Sequence, residues 1–242
     1  MIEIFKNTEE QNIAAAEQFV QSAKEAIAAK GIFNVALTGG SSPEKFYKLL
    51  AESPYREQVE WEKVAIYWGD ERWVPLDDDK SNAKMAERTL LSHVPIPKEQ
   101  IYFMYKDGVE PETYALDYEH LLKKNLGPEG SFDLIFLGMG DDGHTASLFP
   151  GEAVLGEEIQ WVDAYFLIPQ DMYRITLTAP LINKAKKIVF VLYGEKKAHA
   201  LQQVLEGPDQ HTKYPSQLIK PTNGEVLWFI DEAAAANLTN KA

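Results

Sequence analysis

The chain has 242 residues, 45% hydrophobic and 25% charged, which is an ordinary globular composition with enough length to bury a core. It contains no cysteine, which excludes disulfides, thiolate metal sites and cysteine nucleophiles. A net charge of −13 argues against a nucleic-acid partner, because such a surface repels a phosphate backbone; an anionic ligand must be met by a local group of donors.

No apolar run approaches the ~20 residues that cross a bilayer. The first residues, MIEIFKNTEEQN, lack both the basic and the apolar region of a secretory signal. A cytoplasmic protein with no membrane and no obligate protein partner is the expectation.

Residues 8–30 place Ile13, Ala16, Val20, Ala23 and Ile27 on one helical face, with Thr8 as N-cap, Gln11 as its box partner and Gly31 as the stop. The strand-like IFNVALT then runs to Thr38 and the turn Gly39-Gly40-Ser41-Ser42, with Pro43 opening the helix PEKFYKLLAE. VAIYW (64–68) is a buried strand that ends in Gly69-Asp70-Glu71-Arg72. KSNAKMAERTLL and PETYALDYEHLLKKNL are helical, and IYFMY between them is a short strand. FDLIFLG, RITLT, KIVFVLY and VLWFI are further strands, with a helix over 196–205.

Strands that alternate with helices and are apolar almost throughout predict an α/β fold: a mostly parallel, Rossmann-like sheet covered by helices on both faces, in a single domain over 1–242. Ligands bind beyond the carboxyl ends of such strands, where TGGSSP, GDERW and GMGDDGH converge.

GMGDDG spells G-x-G-x-x-G after a strand. Two aspartates at the variable positions would crowd a pyrophosphate, and Pro150-Gly151 curtails the helix that a dinucleotide site needs. A dinucleotide is therefore not expected. His144 sits two residues after Asp142 in a glycine-lined turn, so a carboxylate can fix the imidazole tautomer and support its protonated form. The plainer alternative is a helix-start histidine satisfied by a backbone carbonyl. The same turn offers backbone N–H groups to a developing oxyanion. TGGSSP suits an anion at a helix N-terminus, and equally a plain strand–helix turn capped by Ser42. Arg72 and Lys197 either clamp a phosphate or form solvated surface pairs. The five histidines show no paired metal-ligand spacing, so no metal is expected.

Together these segments resemble the 6-phosphogluconolactonase family. The resemblance runs through ALTGGSSP, GDERWVPLDDDKSNAKMAERTLL, FDLIFLGMGDDGHTASLFPG, YRITLTAPLINKAKKIVFVLYGEKKAHALQQVL and YPSQLIKPTNGEVLWFIDEAAAANL, nearly the whole chain. It implies hydrolysis of 6-phosphoglucono-δ-lactone to 6-phosphogluconate, in the oxidative pentose phosphate pathway, without metal or organic cofactor. The implied site has His144 as catalytic base and Gly39, Gly40, Ser41, Ser42, Arg72 and Lys197 around the sugar phosphate. Asp142, Asp70, Asn82 and Arg174 also fall on matching motif positions. The family's G-x-x-K spacing from Gly194 selects Lys197 over Lys196. The related glucosamine-6-phosphate deaminases share a similar D-G-H loop followed by a glutamate, whose place Phe149 takes here. That activity is one alternative, and a non-catalytic phosphosugar-binding regulator is another.

Overall fold

The computed structural model describes residues 1–40 and 42–240, so Ser41 lies outside the described residues. Strand β1 (Ile2–Phe5) leads into helix α1 (Thr8–Lys30), which has the expected bounds. The cap differs from expectation. Asn7 is extended at φ −155°, and its side-chain oxygen accepts from Glu9 N (3.0 Å) and Glu10 N (2.9 Å), taking the role assigned to Thr8. Gly31 ends the helix at φ +79°, its N–H bonded to Ile27 O. Ala16, Val20, Ala23 and Ile27 are buried as expected, Ile13 is only half-buried, and the buried face widens to take in Gln11, Asn12, Ala15 and Phe19.

Strand β2 (Phe33–Leu37) precedes the short helix α2 (Glu44–Leu50) and strand β3 (Val64–Trp68). After β4 (Asp70–Arg72) come helices α3 (Asn82–Thr89) and α4 (Pro111–Leu126), then strands β5 (Leu134–Leu137), β6 (Val162–Leu167) and β7 (Met172–Leu177). The chain closes with α5 (Ala179–Ile182), β8 (Lys187–Leu192), α6 (Ala198–Glu206) and β9 (Glu225–Asp231).

Six strands form one sheet in the order β1-β9-β8-β5-β2-β3, every neighbouring pair parallel. Every residue of β2, β3 and β5 is buried, as expected for strands covered on both faces. Helix α1 packs across β2, β8 and β9 and against α2. The mostly parallel α/β fold is therefore present.

A second sheet departs from the expectation. Strands β4, β7 and β6 pair antiparallel in the order β4-β7-β6, so RITLT lies outside the parallel sheet and Asp70–Arg72 is a strand rather than a loop. Strand β6 carries the alternating burial of a sheet with one covered face. Gly69, alone between β3 and β4, belongs to both sheets: its N–H bonds Leu37 O (2.8 Å), and its carbonyl accepts from Leu177 N (2.9 Å). IYFMY is not a strand. It makes one bridge, Ile101 to Ile66, and is held instead by Tyr102 stacked on Tyr67 and Phe103 on Trp68. Among the described residues no helix is long and apolar enough to cross a membrane.

Candidate active site

The chain leaves β2 toward β3 on one side and reaches β5 on the other. This is a topological switch point, where the loops after two adjacent parallel strands diverge and open a crevice. A cleft of about 240 Å³ lies there. Gly39, Gly40 and Ser42 line it from the loop after β2, and His144 from the loop after β5. Asp70 and Arg72 of β4, Asn82 at the start of α3, Arg174 of β7 and Lys197 before α6 complete the wall. Every expected site residue among the described residues meets in this cleft except Asp142, which contacts His144; Ser41 lies outside the described residues.

The loop after β5 is folded around the histidine. Asp142 Oδ1 accepts from His144 Nδ1 (2.6 Å) and from His144 N (3.1 Å). With the Nδ1 proton directed to a carboxylate, the lone pair of the neutral ring sits on Nε2. Burial works against the charge of Asp142, but its bonds from the His144 ring and backbone outweigh this and hold the carboxyl below its ordinary value. The Phe149 ring stacks on the imidazole at 4.1 Å between centroids, with the Arg174 guanidinium against the same ring at 5.6 Å. A Cβ at residue 140 would overlap His144 Nδ1, so glycine is needed there for the ring to lie where it does. No helix follows the loop, which closes by hydrogen bonds instead: Gly140 N to His144 O (2.8 Å) and Gly143 N to Gly140 O (3.0 Å). These two amides are thereby taken up inside the turn, which leaves its other N–H groups as the ones it can offer to an oxyanion.

The cations are held in different ways. Lys197 Nζ lies 2.7 Å from Asp141 Oδ1. Arg72 Nη1 donates to Lys80 O at 2.7 Å, and its Nε is buried with no partner among the described residues. Arg174 is almost fully buried, with Nη2 on Asp70 Oδ2 (2.8 Å), Nε on Ser147 Oγ (2.9 Å) and Nη1 on Gln170 Oε1 (3.1 Å). Ser147 Oγ in turn donates to Asp70 Oδ2 at 2.6 Å. Asp70 thus faces the cleft as half of a buried ion pair. Burial opposes its charge, and the guanidiniums of Arg174 and Arg72 more than offset this, keeping its carboxyl below the usual value.

Two residues went unnoticed in the sequence. Ser147 bridges Asp70 and Arg174 from the histidine's own loop. Glu71, buried beside them, accepts from Arg72 N, Asn82 N and Ala83 N at 2.8 Å each and from Ser81 Oγ at 3.1 Å. Burial pushes its carboxyl above the ordinary range despite these donors. The Glu71 side chain satisfies the first turn of α3 and so places Asn82, whose Nδ2 reaches Asp70 O at 2.9 Å. Glu71, one of two adjacent acids followed by an arginine, gives no sequence sign of this. Among the described residues, no three His, Asp or Glu side chains are grouped to hold a metal ion.

The sequence profile described as "Glucosamine-6-phosphate isomerases/6-phosphogluconolactonase" matches residues 6–228. The chain belongs to this family. It is 40% identical over 219 residues to a 6-phosphogluconolactonase of Synechocystis, covering 88% of each chain. It is also 40% identical over 202 residues to the Haemophilus influenzae 6-phosphogluconolactonase, covering 83% of this chain and 85% of that one. The solved 6-phosphogluconolactonase of Trypanosoma brucei matches with a TM-score of 0.86 at 25% identity, over 99% of this chain and 98% of its own. Within the family, the stacking of Phe149 on His144 means that the position after Ser147 and Leu148 supplies an aromatic face and no carboxylate.

Proposed function

We propose that this chain is a 6-phosphogluconolactonase in which His144 activates the attacking water. The observation that carries the reading is the 2.6 Å contact between His144 Nδ1 and Asp142, on a ring that lines a cleft bearing Lys197 and Arg72. The phosphate is met by Lys197, Arg72, Ser42 and the backbone of Gly39 and Gly40, which places C1 of the lactone toward His144. Nε2 takes a proton as the water oxygen bonds to C1, and Asp142 supports the imidazolium that forms. Collapse of the tetrahedral intermediate breaks the bond from C1 to the ring oxygen, and the Nε2 proton passes to that oxygen. No covalent enzyme intermediate is formed. Arg174 and Asp70 shape the wall and hold each other, while Asn82 faces the sugar. That the cleft draws on both sheets supports reading the chain as one domain.

The deaminase loop carries, where Phe149 stands here, a glutamate that helps the histidine open the sugar ring, and Phe149 offers no carboxylate at that place. The test is direct hydrolysis of freshly made 6-phosphogluconolactone at mildly acidic pH, with the blank rate subtracted. His144→Ala is expected to lower kcat by about 10²- to 10⁴-fold with little change in KM. Lys197→Ala and Arg72→Ala are expected to raise KM, and unphosphorylated gluconolactone to be a far poorer substrate. An H144A variant that keeps near-normal kcat would eliminate the proposed base.

A further inference from the structure

The segment Tyr214–Gln217 is 73 residues from the histidine loop in the chain, yet it is bonded to it. Ser216, 1% exposed, gives the Gly143 carbonyl both its backbone N–H (2.9 Å) and its hydroxyl (2.8 Å). Two donors occupy both lone pairs of that oxygen. The peptide that begins with the Gly143 carbonyl ends in the N–H of His144. Because a peptide unit is planar, fixing its oxygen also fixes the direction of its N–H. That N–H points to Asp142 Oδ1, the same atom that holds the His144 ring at Nδ1.

This peptide needs such a hold. Gly143 sits at φ +82° with no Cβ to oppose rotation, and the Tyr214 ring fills the place where one would lie. Ser216 is itself anchored by its neighbour: Gln217 Nε2 donates to Gln203 O (2.9 Å) and Pro208 O (3.0 Å), and its Oε1 accepts from Gln210 N (2.7 Å). The hydroxyl is not required to satisfy Gly143, whose carbonyl keeps the Ser216 N–H without it. Ser216 does not line the cleft.

We infer that Ser216 is a positioning residue that sets the Asp142–His144 pair through the Gly143–His144 peptide. The inference rests on the assignment of His144 as base. Its test compares Ser216→Ala with wild type and His144→Ala in the lactone assay, alongside melting temperature and the downfield Nδ1 proton resonance of His144. S216A is expected to lower kcat by about 2- to 13-fold, the scale of losing one neutral hydrogen bond, with KM within about twofold. The Nδ1 resonance should weaken through faster exchange while the melting temperature changes little. Should S216A not fold, Ser216→Cys keeps the shape and a weak S–H donor, and an intermediate kcat is expected. Wild-type kcat and an unchanged Nδ1 resonance in S216A or S216C, while H144A is inactive, would overturn the positioning role. If H144A stays active, the base assignment fails, and the role built on it fails with it.

Discussion

Asp141 and Asp142 are adjacent and chemically identical, yet they meet different partners. Asp142 holds the imidazole, whereas Asp141 lies on Lys197 at 2.7 Å. A phosphate that comes to Lys197 therefore shares the cation with a carboxylate already there, and the two anions repel. Asp141→Asn is expected to lower KM for the phosphorylated lactone by about two- to fivefold at low ionic strength, with the gain shrinking as salt screens it. A raised KM would show instead that Asp141 helps by steadying the lysine. Asp70 gives a second prediction at this scale. Asp70→Asn leaves the buried Arg174 uncompensated and should cost about 3–5 kcal/mol of stability near neutral pH. The folded-state carboxyl titrates below its ordinary 3.8, so its stabilisation is present above that value and is lost as pH falls through the lowered one. Unfolding curves for wild type and D70N should converge in acid, and a gap that stayed constant would rule out the charge as its source.

Among the elements, those with long periodic patterns were legible before any coordinates. Helices α1 and α4 have the expected bounds, and the apolar runs of β2, β3, β5, β8 and β9 are strands. The second sheet was not legible, for two reasons. Its strand β4 spans three residues, Asp70–Arg72, all charged, which is a loop's composition. Its membership depends on pairing with β7, about a hundred residues later, which no local pattern encodes. IYFMY has a strand's composition but spends its aromatic side chains on stacking, so its backbone never joins the sheet beyond one bridge. The glycine turns, His144 and Arg72 stand out by residue type and spacing, while Lys197 is told from Lys196 only by the family's G-x-x-K spacing. Ser147, Glu71 and Ser216 do not, because their roles come from partners brought near only by folding. Glu71 makes this testable at the level of α3: Glu71→Ala strips acceptors from three backbone N–H groups and the Ser81 hydroxyl. It should lower the melting temperature and raise KM through displaced Arg72 and Asn82, with Glu71→Gln in between. Unchanged KM in a destabilised E71A would confine Glu71 to stability.

At the scale of the whole molecule, the cleft stands at a seam. The parallel sheet supplies the loops that carry His144 and the glycine turn, while the antiparallel sheet supplies Asp70, Arg72 and Arg174. Gly69 stitches the two through its own N–H and carbonyl, and Ser147 ties the histidine loop to the Asp70–Arg174 pair. These ties join residues far apart in the chain: 104 positions for Asp70 and Arg174, 77 for Asp70 and Ser147, 73 for Gly143 and Ser216. Contacts of such separation close large loops and form slowly, after local helices and neighbouring strands. The seam therefore sets an order of events in refolding. Secondary structure should return first, and the cleft should be among the last parts of the molecule to assemble. After dilution from denaturant, recovery of lactone hydrolysis should lag the far-ultraviolet dichroism signal, and simultaneous recovery would mean that the two sheets dock in the step that forms them.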